Sequence, residues 1–143
     1  MNDKYNLERF IQAQENEYAI ALAEIKNGKK RSHWMWYIFP QLLGLGYTSV
    51  SIQYAIKDLD ETQHYLQHEI LGKRLKEISN TLLALETNDA HKIFGSPDDL
   101  KLRSSMTLFS LIQETDPVFQ LVLDKFYGGK KDEKTLQLLQ SGS

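Results

Sequence analysis

A chain of 143 residues with 41% hydrophobic and 25% charged residues has the make-up of one ordinary globular domain, expected here to span residues 1–143 with its core at about 7–139. It has no cysteine, which excludes a disulfide framework, a thiol nucleophile and any cysteine-ligated metal. A net charge of -2 argues against a dedicated nucleic-acid binder, whose domain is normally basic.

The opening residues carry charge and lack a signal-peptide apolar core. The longest apolar run, Trp34 to Phe39, is six residues against the ~20 that span a bilayer. These features predict a cytoplasmic protein with no membrane partner.

Elements follow in order. Leu7, Phe10, Ile11, Tyr18, Ala21, Leu22 and Ile25 recur at helical spacing, so a first helix is expected from an Asn6 cap to about Asn27, stopped by Gly28. Residues 29–50 hold a basic run, an aromatic cluster, Pro40 and the Gly44-Leu45-Gly46 turn, and read as irregular or short-helical. The basic run, Lys26 to Arg31, reads as a solvated corner. Residues 47–52 alternate well enough for the one expected strand.

Asp60 is the expected cap for a short helix over 61–67. Ile70, Leu71, Leu75, Ile78, Leu82 and Leu85 then mark a helix over 69–86. Ser96-Pro97-Asp98-Asp99 combines a cap, an early proline and acids suited to the helix dipole, starting a helix over 97–113. Asp116-Pro117 starts another over 118–127, closed by Gly128-Gly129, and Asp132 caps a last one over 133–140, before a frayed end at Ser141-Gly142-Ser143. The fold class is all-α.

Two polar placements are out of character. Lys101 projects into the apolar arc of the 97–113 helix, with Ser104 and Ser105 one turn on. A buried ammonium needs solvent, a carboxylate such as Asp98 or Glu17, or an anionic ligand. Gln14 sits amid the apolar stripe of the first helix and needs amide partners too. Around Trp34 and Trp36, Arg31 adds an anion-binding cation and His33 a group able to move protons near neutral pH. The indoles also suit plain core packing.

Together these residues predict a pocket for an anionic or nucleotide-like small molecule. Lys101, Arg31, Gln14, Ser104 and Ser105 would supply polar contacts, Trp34 and Trp36 an aromatic wall, and His33 the acid or base for any hydrolase or transferase chemistry. No cofactor is implied. His64 and His68 have helical ligand spacing, but no third ligand is evident, so no metal site is expected. The alternative is a non-catalytic helical interaction module in which the polar residues only fix packing.

Through His33-Trp34-Met35-Trp36, Phe39-Pro40-Gln41 and the block Phe94 to Phe109, the sequence resembles the domain-of-unknown-function family 1810. Leu43-Gly44-Leu45-Gly46, Tyr54-Ala55-Ile56 and Phe126-Tyr127-Gly128-Gly129 extend the resemblance over about Leu7 to Leu139. Glu69 and Lys73 stand where related sequences often carry proline, which bears on a helix boundary only. The resemblance implies a mostly helical fold and no settled activity. Some members carry the label calpastatin, which implies a largely disordered inhibitor, at odds with the regular helical periodicity here.

Overall fold

The computed structural model describes residues 3–141. Gly142 and Ser143 of the expected frayed end lie outside the described residues, and Ser141 closes the last helix. The elements are α1 (Glu8–Gln14), α2 (Tyr18–Lys26), α3 (Met35–Ile38), α4 (Ser49–Gln53), α5 (Leu59–Gln67), α6 (Glu69–Leu83), α7 (Ala90–Phe94), α8 (Asp98–Ser110), α9 (Val118–Tyr127) and α10 (Glu133–Ser141). The all-α reading is correct. The regular β pairing among the described residues is one parallel bridge, Leu42 to Ile56.

Where the local signals were strong, elements fall as expected. Gly28 takes φ +75° beyond the end of α2. Asp116 Oδ1 accepts the Val118 N–H at 2.9 Å to open α9. Gly128 and Gly129 take φ +62° and +80°, and the Gly129 N–H returns to the Leu123 carbonyl at 3.0 Å. Asp132 Oδ2 accepts the Thr135 N–H at 3.0 Å and opens α10.

Five expectations need correction. The first helix is broken at Glu15–Glu17 into α1 and α2. No apolar residue larger than Ala13 lies between Ile11 and Tyr18, so no large apolar group on that turn needs the helix continued. Asn6 has φ +53° and does not cap. Asp3 does, its carboxylate accepting the N–H groups of Leu7 (2.7 Å) and Glu8 (3.1 Å). Residues 47–52 form no strand: Thr48 accepts the Ser51 N–H and starts α4 instead. Alternation over six residues carries less weight than a cap with no neighbouring strand to pair with. Finally, Asp58 rather than Asp60 caps α5, and α8 starts at Asp98 and ends at Ser110, shorter than expected at both ends.

α8 is a central helix. It buries seven of its residues, including Ser104, Ser105 and Thr107. α6 packs Leu71, Leu75, Ile78 and Leu82 into the same hydrophobic cluster. Gly72 is required at the α5–α6 joint, because a Cβ there would lie 2.1 Å from the Leu66 carbonyl oxygen. His68 caps α6, its Nδ1 accepting the N–H groups of Ile70 (3.1 Å) and Leu71 (3.4 Å).

The irregular stretch between α2 and α3 is held by one carboxylate. Glu24 accepts from the Arg31 N–H (2.8 Å), the Ser32 N–H (3.0 Å), the Ser32 hydroxyl (2.6 Å) and the Trp34 indole N–H (2.9 Å). Partial burial acts to raise its pKa. The donated bonds from Ser32, Arg31 and Trp34 outweigh that and hold it at about 2.

Because the folded pKa lies below the ordinary 4.5, this stabilisation is complete above that value and is lost as pH falls toward 2. Glu24→Ala, which leaves the buried indole N–H unpaired, is expected to lower stability by about 1–3 kcal/mol at neutral pH. The gap from the unaltered protein should close as acid denaturation curves are taken below pH 4.5. Gly72→Ala should cost at least about 1–3 kcal/mol, read as a lower denaturant midpoint, since its clash is with backbone.

Candidate functional site

The beginning of α8 meets the segment that precedes α3. Asp98 sits between two lysines: Lys30 Nζ lies 2.9 Å from Oδ2 and Lys101 Nζ 3.7 Å from Oδ1. The pairs are unequal. Lys30 is the buried one, its side chain 8% exposed, with a further bond from Nζ to the Ser32 carbonyl at 2.5 Å and the Trp34 ring centroid at 5.1 Å. Lys101 is 25% exposed, its separation from Asp98 exceeds hydrogen-bond length, and its ammonium lies 5.4 Å from the Trp36 ring centroid. Two ammoniums share one carboxylate, which leaves a local excess of one positive charge.

Lys101 and Trp36 line a cleft together with Met35, Phe39, Gln41, Ser51, Tyr54 and Ala55. Its walls come from α3, α4 and one turn of α8. The enclosed space, counting the part open to solvent, is about 250 Å³, but the room left for the centre of a water-sized body is only about 10 Å³. That is room for about one water molecule.

The other expected site residues are dispersed. Trp34 is fully buried, its indole N–H on Glu24 and its ring 6.4 Å from that of Phe94, so it is a core aromatic rather than a cleft wall. Gln14 is buried elsewhere, with every amide need met. Its Nε2 donates to the Tyr37 carbonyl (2.7 Å) and the Tyr65 hydroxyl (3.2 Å), and its Oε1 accepts from Arg74 (3.3 Å). Ser104 donates back to the Leu100 carbonyl at 3.2 Å. Ser105 is buried with its hydroxyl unpaired among the described residues. Arg31 and His33 are exposed on the segment before α3, and neither lines the cleft.

Lys30, Gln41, Ser51 and Tyr54 were missed. Lys30 was read as part of a solvated corner, yet its position four residues before Trp34 offered a π face for its charge. Asp98 was expected both at the helix start and as a possible carboxylate for Lys101, and that pair is present at 3.7 Å. Ser51 and Tyr54 lay on or beside the misread strand, where the Thr48-to-Ser51 cap spacing was the available signal. His64 and His68 have local duties: His64 Nδ1 bonds the Asp60 carbonyl at 2.8 Å and His68 caps α6. No helix among the described residues is long and apolar enough to cross a membrane.

Comparison with known proteins agrees with the fold. The crystal structure of the conserved hypothetical protein Rv1873 from Mycobacterium tuberculosis is 44% identical and superposes with a TM-score of 0.94, covering 96% of this chain and 99% of that one. No curated protein matches the chain. The model of the family described as a protein of unknown function, DUF1810, matches residues 4–139, almost the whole length. The chain belongs to the DUF1810 family.

Proposed function

We propose that the cleft between α3, α4 and α8 binds a small anionic molecule, with Lys101 as its charged contact. The observation that carries this reading is the state of the Lys101 ammonium. It faces an aromatic-walled cleft, and with its carboxylate contact at 3.7 Å its donors have no acceptor at hydrogen-bond distance among the described residues. Asp98 is committed more closely to Lys30. An anion reaching Lys101 would displace little.

Trp36 and Tyr54 supply flat walls, and Gln41 and Ser51 supply neutral donors. In the closed cleft this suits a small anionic group or the edge of a planar ring. A nucleotide-like ligand requires wider access. The reading is one of binding, because hydrolase or transferase chemistry would need His33, whose exposed imidazole does not line the cleft.

A second reading rests on the same ion pair. Asp98 meets the Lys101 charge within the fold, as expected of a non-catalytic interaction module whose polar residues fix packing. The two readings separate in one experiment. Thermal unfolding is followed with inorganic phosphate, benzoate, a hexose phosphate and adenosine monophosphate. A ligand present at 100 times its dissociation constant stabilises by about 2.7 kcal/mol. Binding predicts such a shift with at least one probe, abolished in Lys101→Met. That variant itself should lose no more than about 1 kcal/mol, since its pair is long and part-exposed. No shift from any probe would favour the interaction module.

A further inference from the structure

One wall of the cleft is built unlike the others. α3 buries Met35 and Ile38 and α8 buries seven residues, but α4 buries none. The segment that carries α4 is anchored at its two ends. At the base, the Leu43 N–H donates to the Ile56 carbonyl (2.8 Å) and the Ile56 N–H to the Gln41 carbonyl (2.9 Å). At the far end, Arg9 donates to the carbonyls of Gln53 (2.8 Å) and Ala55 (2.9 Å), and Tyr54 packs against the rings of Phe10 and Tyr37.

Between these anchors the chain leans mostly on itself. Apart from its own helix and turn bonds, the backbone from Gly44 to Ile52 is tied among the described residues to the far anchor alone, the Tyr54 N–H donating to the Val50 carbonyl (3.3 Å) and the Ala55 N–H to the Ile52 carbonyl (3.3 Å). The hydroxyls of Thr48 and Ser51 bond to one another at 2.7 Å. Tyr47 and Ile52 are 83% and 53% exposed, and what holds the stretch down is side-chain packing, chiefly the partly buried Leu45. Gly44, at φ +107°, stands where the stretch leaves its base, in a conformation that glycine adopts freely. Few buried apolar groups, and hydrogen bonds confined to the segment and its far anchor, are the marks of a segment that opens independently of the global transition.

We propose that residues 44–52 are a lid over the Lys101 cleft, lifting between Gly44 and Tyr54 to admit ligand. The lid explains how a site with room for about one water could take anything larger. What it admits rests on the anion reading above; that it opens does not.

The chain has no cysteine, so a single introduced thiol reports without interference. Met35 lines the cleft beneath the lid and is 2% exposed, while Ser79 is fully buried and is not a cleft residue. The labelling rates of Met35→Cys and Ser79→Cys with a thiol reagent are compared in water. The lid predicts that position 35 reacts at least about tenfold faster, by local opening. Equal rates, both following global unfolding, would overturn it. Amide exchange in the unaltered protein gives a check that no substitution can spoil. Residues 47–53 should exchange at least about tenfold faster than α10, a helix that buries Thr135 alone, and exchange no faster than α10 counts against the lid. Repeating the labelling with the four anions tests ligand binding separately. Fast labelling at position 35 that none of them slows keeps the lid and removes the anion reading.

Discussion

The constraint on which this structure depends is that an irregular, aromatic stretch of chain has to be buried without regular backbone pairing. Buried N–H and C=O groups outside a ladder need partners from elsewhere. Here side chains, most of them on the neighbouring helices and one on the stretch itself, provide many of them. Glu24 takes the N–H groups of Arg31 and Ser32, Gln14 serves the Tyr37 carbonyl, Lys30 the Ser32 carbonyl, and Arg9 the carbonyls of Gln53 and Ala55. Arg9 completes its own set with Glu61, whose other oxygen accepts the Lys57 N–H at 2.8 Å.

This arrangement explains why so many polar side chains point inward in a chain of ordinary composition. Most hold backbone in place, and each spends its hydrogen-bonding capacity doing so. Lys101 stands apart from them. It lies on the central α8, its carboxylate is shared with Lys30, and its ammonium faces a cleft. The distinction between a polar group that anchors the fold and one with capacity to spare is a matter of which partners are already taken.

Much of the helical framework was legible residue by residue. Asp116, Asp132, Gly28 and Gly128 act on backbone within a few positions of themselves, so their effects can be read locally. The apolar crowding of α8 marked it as central because a helix that is hydrophobic nearly all round has to be covered. The missed element ends were local as well. The break at Glu15–Glu17 follows an apolar gap, α4 follows the Thr48-to-Ser51 cap, and α5 opens at the Asp58 cap, two residues ahead of the one expected. Lys101 and Trp36 were singled out from sequence and do share a cleft. Gln14 and Trp34 were singled out for the same reasons and proved to be satisfied core groups. Burial signals alone do not tell those outcomes apart.

The amino-acid sequence by itself determined the helical class, the family, most helix ends and the presence of inward-facing polar groups, because periodicity and capping are short-range effects. Tertiary structure decided which of those groups were spent. It brought Lys30 to the Asp98 that Lys101 already neighbours on its own helix, and set α4 beside α3 and α8 to make the cleft. The Lys30 pairing depends on which distant carboxylate arrives within 3 Å, and no local pattern carries that information.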